Sequence, residues 1–198
     1  MIAIVDYGAG NIFSVDNALK FLNQPYILAN TEKELEQCDK IILPGVGAFR
    51  DVADMLKSKK LFSPLQKLGK IKPLLGICLG MQLLFEKGYE FGESEGLGLI
   101  KGSVELMDVP YKIPHMGWNS LVYDNIDCPL FVGVKQNAYV YFVHSYAAIT
   151  DKKYIAAHCD YGKPITAVVQ NGNVFGTQFH PEKSGEQGLK ILSNFCSL

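Results

Sequence analysis

The sequence predicts an α/β fold with an open, mixed but mainly parallel sheet flanked by helices, and with further antiparallel strands in its second half. Two patterns carry this. In the first half, apolar runs of strand length alternate with amphipathic stretches, which is the rhythm of βαβ units. After Gly88 the pattern changes to short strands separated by Gly, Pro and Asn.

Residues 2–5 form an unbroken apolar run and read as the first strand. Residues 11–22 place Ile12, Val15, Leu19 and Leu22 on one helical stripe. Residues 26–28 give a second strand, and Thr31-Glu32-Lys33-Glu34 has the form of a capping box opening a short helix. Residues 40–43 and 73–77 are the third and fourth strands. Helical crossovers between successive strands make the sheet parallel. In the second half, residues 102–107, 120–123, 139–143, 154–158, 165–170 and 174–179 read as strands, several of them antiparallel. Asn171-Gly172 between Val169 and Val174 is the strongest hairpin signal in the chain. Residues 185–195 close it with a helix. No repeat, low-complexity tract or linker interrupts the chain, so residues 1–198 are expected to form one domain.

Composition narrows the function classes. With 19 Lys+Arg against 20 Asp+Glu, Arg50 as the only arginine and the lysines scattered, a nucleic-acid partner is not expected. The longest apolar stretches fall far short of the roughly 20 residues of a membrane helix. Residues 1–6 lack the basic region of a signal peptide, so a cytoplasmic location is expected. Cys38, Cys78, Cys128, Cys159 and Cys196 are odd in number and contain no CxxC pair, which suggests free thiols and neither a disulfide framework nor a zinc site.

One cysteine stands apart. In Gly76-Ile77-Cys78-Leu79-Gly80 it sits where a strand is expected to turn into a helix running on to Phe85, the nucleophile-elbow arrangement with Cys in place of Ser. Such a turn holds the sulfur out at the carboxyl end of the sheet, and the N-terminus of the following helix favours a thiolate. The other four cysteines read as small buried hydrophobes.

A sulfur nucleophile attacking an acyl carbon needs a base, and Phe179-His180-Pro181-Glu182 supplies one at a strand end. Residues two apart in an extended segment lie on one side, so Glu182 can orient the His180 imidazole. Metal binding by His180 and Glu182 is the competing reading, but no third ligand lies at suitable spacing. His115, His144 and His158 read as structural histidines. Pro44-Gly45-Val46-Gly47 after the third strand is a loop able to present backbone donors to a developing oxyanion. Tyr7-Gly8-Ala9-Gly10 suggests a dinucleotide loop, but Phe13 stands where the third glycine belongs, and no cofactor is expected.

Gly-Ile-Cys78-Leu-Gly with His180-Pro-Glu182 about a hundred residues later resembles the class I (triad) glutamine amidotransferases. Asp6-Tyr7-Gly8-Ala9-Gly10-Asn11, Pro44-Gly45-Val46-Gly47-Ala48-Phe49 and Pro114-His115-Met116-Gly117-Trp118-Asn119, followed by Tyr141-Phe142-Val143-His144-Ser145-Tyr146 and Gln178-Phe179-His180-Pro181-Glu182-Lys183-Ser184, narrow the resemblance to the glutaminase subunits of imidazole glycerol phosphate synthases. It covers essentially the whole chain and implies the flavodoxin-like sheet of that family. By this resemblance, Cys78, His180 and Glu182 are the triad that hydrolyses L-glutamine to glutamate and ammonia. Gly45, Val46, Gly47, Leu79, Gln82, His144, Ser145 and Tyr146 are implied to contact glutamine or the oxyanion. The resemblance also implies a (β/α)8 cyclase subunit as heterodimer partner, receiving the ammonia, with Gly8, Asn11, Trp118, Asn119 and Lys183 facing it. A lone tryptophan is ordinarily well buried, so core packing is the competing reading of Trp118. Three other functions fit less well: an ammonia donor for a different synthase, a non-catalytic regulatory subunit, and a cysteine peptidase on a related fold.

Overall fold

The computed structural model describes residues 1–198. Strands β1 (Ile2–Val5), β2 (Tyr26–Ala29), β3 (Lys40–Gly45) and β4 (Leu74–Cys78) alternate with helices α1 (Ile12–Phe21), α2 (Glu32–Gln37), α3 (Phe49–Ser58) and α4 (Phe62–Leu68). A short helix α5 (Leu79–Gln82) follows β4 directly. Strands β5 (Phe85–Gly88), β6 (Ser94–Glu95), β7 (Ile100–Leu106), β8 (His115–Ser120), β9 (Val122–Tyr123) and β10 (Tyr139–His144) come next. Strands β11 (Tyr146–Ile149), β12 (Ile155–Asp160), β13 (Pro164–Asn171) and β14 (Val174–Thr177) precede the last helix, α6 (Gly185–Cys196).

The main sheet has eight strands in the order β2-β1-β3-β4-β14-β13-β12-β9. Its first five strands are mutually parallel, and the other three continue it antiparallel. Each central strand is buried on both faces, which is why β1, β3 and β4 read as continuous apolar runs and not as alternation. One face carries α1 and α6, with Val15, Leu19, Ile191, Leu192 and Phe195 packed on Ile4, Ile42 and Leu75. The opposite face carries α3 and α4 on Val5, Ile41, Leu43 and Leu74. In α3 the buried residues Phe49, Val52, Ala53 and Leu56 follow the i, i+3, i+4, i+7 rule that makes a one-sided helix. Thr31 and Glu34 close the expected capping box, each side chain bonding the other's backbone N–H.

Two smaller sheets lie beside the main one: β10-β8, and β11-β7-β5-β6. Several sequence expectations are corrected by the structure. The helix after Cys78 stops at Gln82, and Phe85 opens a strand instead of ending a helix. The expected strand at 120–123 is divided at Leu121, with β8 pairing β10 and β9 pairing β12. Strand β14 ends at Thr177, before Phe179. In the hairpin, Asn171 pairs with Val174, so the two turn residues are Gly172 and Asn173. No helix is long and apolar enough to cross a membrane.

Candidate active site

Strand β4 ends on Cys78, whose backbone sits at φ 54°, ψ −112°, a region non-glycine residues rarely adopt. Close packing holds it there. A Cβ on Gly80 would come 1.8 Å from the Leu43 carbonyl oxygen, so α5 approaches β3 to a distance only glycine permits. Gly45 is equally confined, its missing Cβ facing the Gly80 nitrogen at 2.6 Å, and it lies directly across from Cys78 in the β3–β4 register. The loop expected to face the oxyanion is thereby fixed beside the elbow. Tyr7, buried under this loop, donates its hydroxyl to Pro44 O at 3.1 Å. Burial pushes the Tyr7 pKa up to about 12, against the opposing pull of the Val46 N–H. Because α5 is a single turn, charge stabilisation by a long helix dipole does not apply, and the sulfur depends on its side-chain neighbours.

Those neighbours begin with His180, just beyond the end of β14. Its Nδ1 lies 2.8 Å from Glu182 Oε1, with the two side chains 2% and 1% exposed, which leaves Nε2 for the sulfur. Burial by itself lowers the imidazole pKa, but hydrogen bonds and charge from Cys78 and Glu182 outweigh it and raise the value to about 9. The His180 backbone is pinned as well: its N–H donates to Tyr141 O, and its carbonyl accepts from the Ser184 hydroxyl at 2.6 Å. Asn11 Nδ2 donates to Glu182 Oε1 at 3.3 Å, while Glu182 Oε2 is buried without a hydrogen-bond partner.

Cys78 and His180 open onto a cleft of about 370 Å³, walled by Val46, Gly47, Leu79, Gln82, His144, Ser145 and Tyr146. Of the residues assigned to glutamine or oxyanion contacts, only Gly45 lies behind the wall. Glu90, Pro114 and Val143 complete it and were not anticipated from sequence. Glu90 is the informative omission. Its Oε2 accepts the Phe49 N–H at 2.8 Å, supplying the side-chain cap that Ala48 at the start of α3 cannot. A lone acid in the Tyr89-Glu90-Phe91-Gly92 turn was the only signal for it.

His115 and His144 form a buried pair, Nδ1 to Nε2 at 3.1 Å, with His144 Nδ1 on Tyr146 O at 2.9 Å. Burial pulls the His144 pKa down to about 4, so it is neutral at pH 7. His158 lies with Asp124 at 2.7 Å, away from the cleft. All five cysteines are free and buried.

The five residues expected to face a partner differ in character. Gly8 and Lys183 are exposed. Trp118 is 55% exposed, edge-on to Tyr141, which excludes core packing. Asn11 and Asn119 are half-buried and turned inward: Asn119 Nδ2 donates to Asp160 O at 2.8 Å, and Asn11 reaches Glu182 as above.

The model of the class I glutamine amidotransferase family matches residues 3–197. The chain belongs to that family. Among curated relatives it is 50% identical to "Imidazole glycerol phosphate synthase subunit HisH" of Bacillus thuringiensis (strain Al Hakam), over 98% of this chain and 93% of the relative. The HisH subunit of Bacillus anthracis is 49% identical over the same shares. Solved structures share the fold over nearly the whole chain. A structure titled "Crystal structure of glutamine amidotransferase" gives a TM-score of 0.78 at 17% identity, covering all of both chains. PurLQS from Thermotoga maritima gives 0.77 at 23%, covering 99% of this chain and 97% of that one. At these identities the structural matches speak for the fold alone.

Proposed function

We propose that this class I amidotransferase hydrolyses L-glutamine, as the ammonia-producing subunit of an imidazole glycerol phosphate synthase. The observation that carries the chemistry is Cys78, on a strained strand end, beside a buried His180 whose other nitrogen is held by Glu182. Half-identity over nearly the full length to HisH subunits supports the narrower assignment.

In this reading His180, protonated at neutral pH, already holds on Nε2 the proton taken from Cys78, whose Sγ attacks the side-chain amide carbon of glutamine. The carbonyl oxygen, now negative, is met by the backbone N–H of Leu79, and by that of Val46 once the Gly45-Val46 peptide has turned away from the Tyr7 hydroxyl it bonds here. His180 returns the proton to the departing nitrogen, which leaves as ammonia, and a glutamyl thioester remains. Water then gives a proton to His180 and attacks the thioester, and the sulfur leaves with glutamate as product. Glu182 keeps one tautomer of His180 in place through both halves. The ammonia passes to a (β/α)8 cyclase subunit docked on the side marked by Gly8, Trp118 and Lys183. Ammonia released without the partner is wasted, so glutaminase activity is low in the isolated chain and rises in the complex.

Glutamate release by the full-length chain, measured alone and then with the cyclase subunit of the same organism plus its nucleotide ligand, tests this. A large rise that disappears in Cys78→Ala, while free ammonium still supports the cyclase reaction of the mixture, is the expected result. No glutamate in either setting, with the thiol reduced, overturns it.

A further inference from the structure

The nucleophile has a neighbour that the triad does not include. Gln178 is fully buried, and its Nε2 lies 3.8 Å from Cys78 Sγ. Its Oε1 accepts from Gln82 Nε2 at 3.0 Å, and the same Gln82 nitrogen donates to Tyr146 O, also at 3.0 Å.

The direction of this chain follows from donor and acceptor chemistry. A backbone carbonyl only accepts, so Tyr146 O requires the NH2 end of Gln82. That nitrogen only donates, so the end of Gln178 facing it must be the oxygen. The remaining end of Gln178, the NH2, is therefore turned to the sulfur. Flipping either amide would oppose two donors or two acceptors between side chains that are almost wholly buried, at a cost that buried polar groups do not bear.

We propose that Gln178 is a further catalytic residue: its amide N–H donates to Cys78 Sγ, stabilising the sulfur as acceptor in the attack on glutamine. The proposal rests on the glutaminase reading and deepens it. A thiol proton has only the Val143 carbonyl, 4.0 Å away, as a protein acceptor other than His180, whereas a thiolate receives hydrogen bonds from both Gln178 and His180. Gln178 so acts on the sulfur from the protein side while His180 acts from the cleft. The ionisable groups around the sulfur are His180 and, at longer range, Tyr7, with Glu90 and His144 on the cleft wall. None of them can replace an uncharged donor buried behind it.

Two substitutions separate this role from packing. Gln178→Met keeps length and volume but removes the donor. Gln178→Glu keeps the acceptor for Gln82 and places an oxygen against the sulfur. Circular dichroism and thermal unfolding establish that each is folded. Alkylation of Cys78 by iodoacetamide, followed by mass spectrometry across pH in the full-length chain, reads the sulfur directly. Expected are a rate at pH 7 lower by about tenfold in Gln178→Met and more in Gln178→Glu, with the pH midpoint moved upward, as for loss of a charge-assisted hydrogen bond. In the partner complex kcat for glutamine falls with KM nearly unchanged. Folded variants that alkylate with the native rate and midpoint overturn the proposal. Native protein that alkylates normally but releases no glutamate in the complex overturns the glutaminase reading instead, and the alkylation series still decides the role of Gln178.

Discussion

Replacing Glu182 by Gln keeps the shape of the carboxylate and its acceptor oxygen for His180 Nδ1 but removes the charge. The bond concerned is 2.8 Å long between side chains that are almost wholly buried. A hydrogen bond to a charged group contributes roughly 1.5–3 kcal/mol, against about 1 for a neutral one. The difference corresponds to a fall of roughly one unit in the His180 pKa, from about 9 toward 8. Because the folded value lies above the unfolded one of about 6.5, protonated His180 stabilises the native state fully below pH 6.5, and that contribution disappears as pH rises through about 9. It amounts to roughly 3 kcal/mol in the native chain, and Glu182→Gln removes roughly 1–2 kcal/mol of it. Turnover depends on the imidazolium as proton donor to the departing nitrogen, so kcat in the partner complex falls by about tenfold or more. NMR titration of the His180 ring reads the pKa, urea unfolding at pH 6.5 and 9.5 reads the linkage, and glutamate release reads turnover. A His180 midpoint within half a unit of native, together with unchanged turnover, refutes this role for the Glu182 charge.

Gly80→Ala forces a methyl group to within 1.8 Å of the Leu43 carbonyl, a clash that displacement of the elbow must relieve. Overpacking of this kind costs about 3 kcal/mol, which calorimetry should register as a melting temperature lower by roughly 6–12 °C. Trp118→Ala removes a side chain that packs on little of its own chain, so stability to urea stays within about 0.5 kcal/mol of native. Affinity for the cyclase, measured by fluorescence or calorimetric titration, drops by about 30-fold, as for a loss of roughly 2 kcal/mol at an aromatic hot spot.

Much of the fold was legible because its signals are local. Runs such as Ile41-Ile42-Leu43 and Leu74-Leu75, short and set between helical stretches, match strands covered on both faces, and the Thr31–Glu34 box marks its helix within four residues. What was not legible depends on partners remote in the chain. Residues 146–149 carry two alanines and give no strand pattern by themselves, and they become β11 by pairing with β7, some forty residues earlier. The break at Leu121 has no turn residue to announce it and exists because β8 and β9 find different partners. The helix after Cys78 was overextended because Leu83-Leu84-Phe85 continues a helical stripe, whereas β7 recruits Phe85 into a strand.

The candidate site divides along the same line, for a physical reason. Its proposed nucleophile and base stand at and just beyond the ends of neighbouring strands of the main sheet, β4 and β14, where a short motif fixes both backbone path and side-chain direction. Cys78 and His180-Pro181-Glu182 therefore carry their geometry in their own few residues. The cleft wall has no such autonomy: His144 ends β10 in one small sheet, Tyr146 begins β11 in another, and the chain changes sheets at Ser145. Where that wall stands is set by β8 and β7, which no motif near residue 145 encodes. Gln178, behind the sulfur, has the same dependence on distant partners, although it is two residues from His180. Taken alone, it is a polar residue at the end of an apolar strand. Its meaning comes from Gln82, 96 residues away in sequence, and from the Tyr146 carbonyl beyond that. Groups that perform the bond-making chemistry must be exact over a few ångströms of local backbone and so leave motifs. Groups that tune them act through long-range hydrogen bonds, and only the folded chain brings those together.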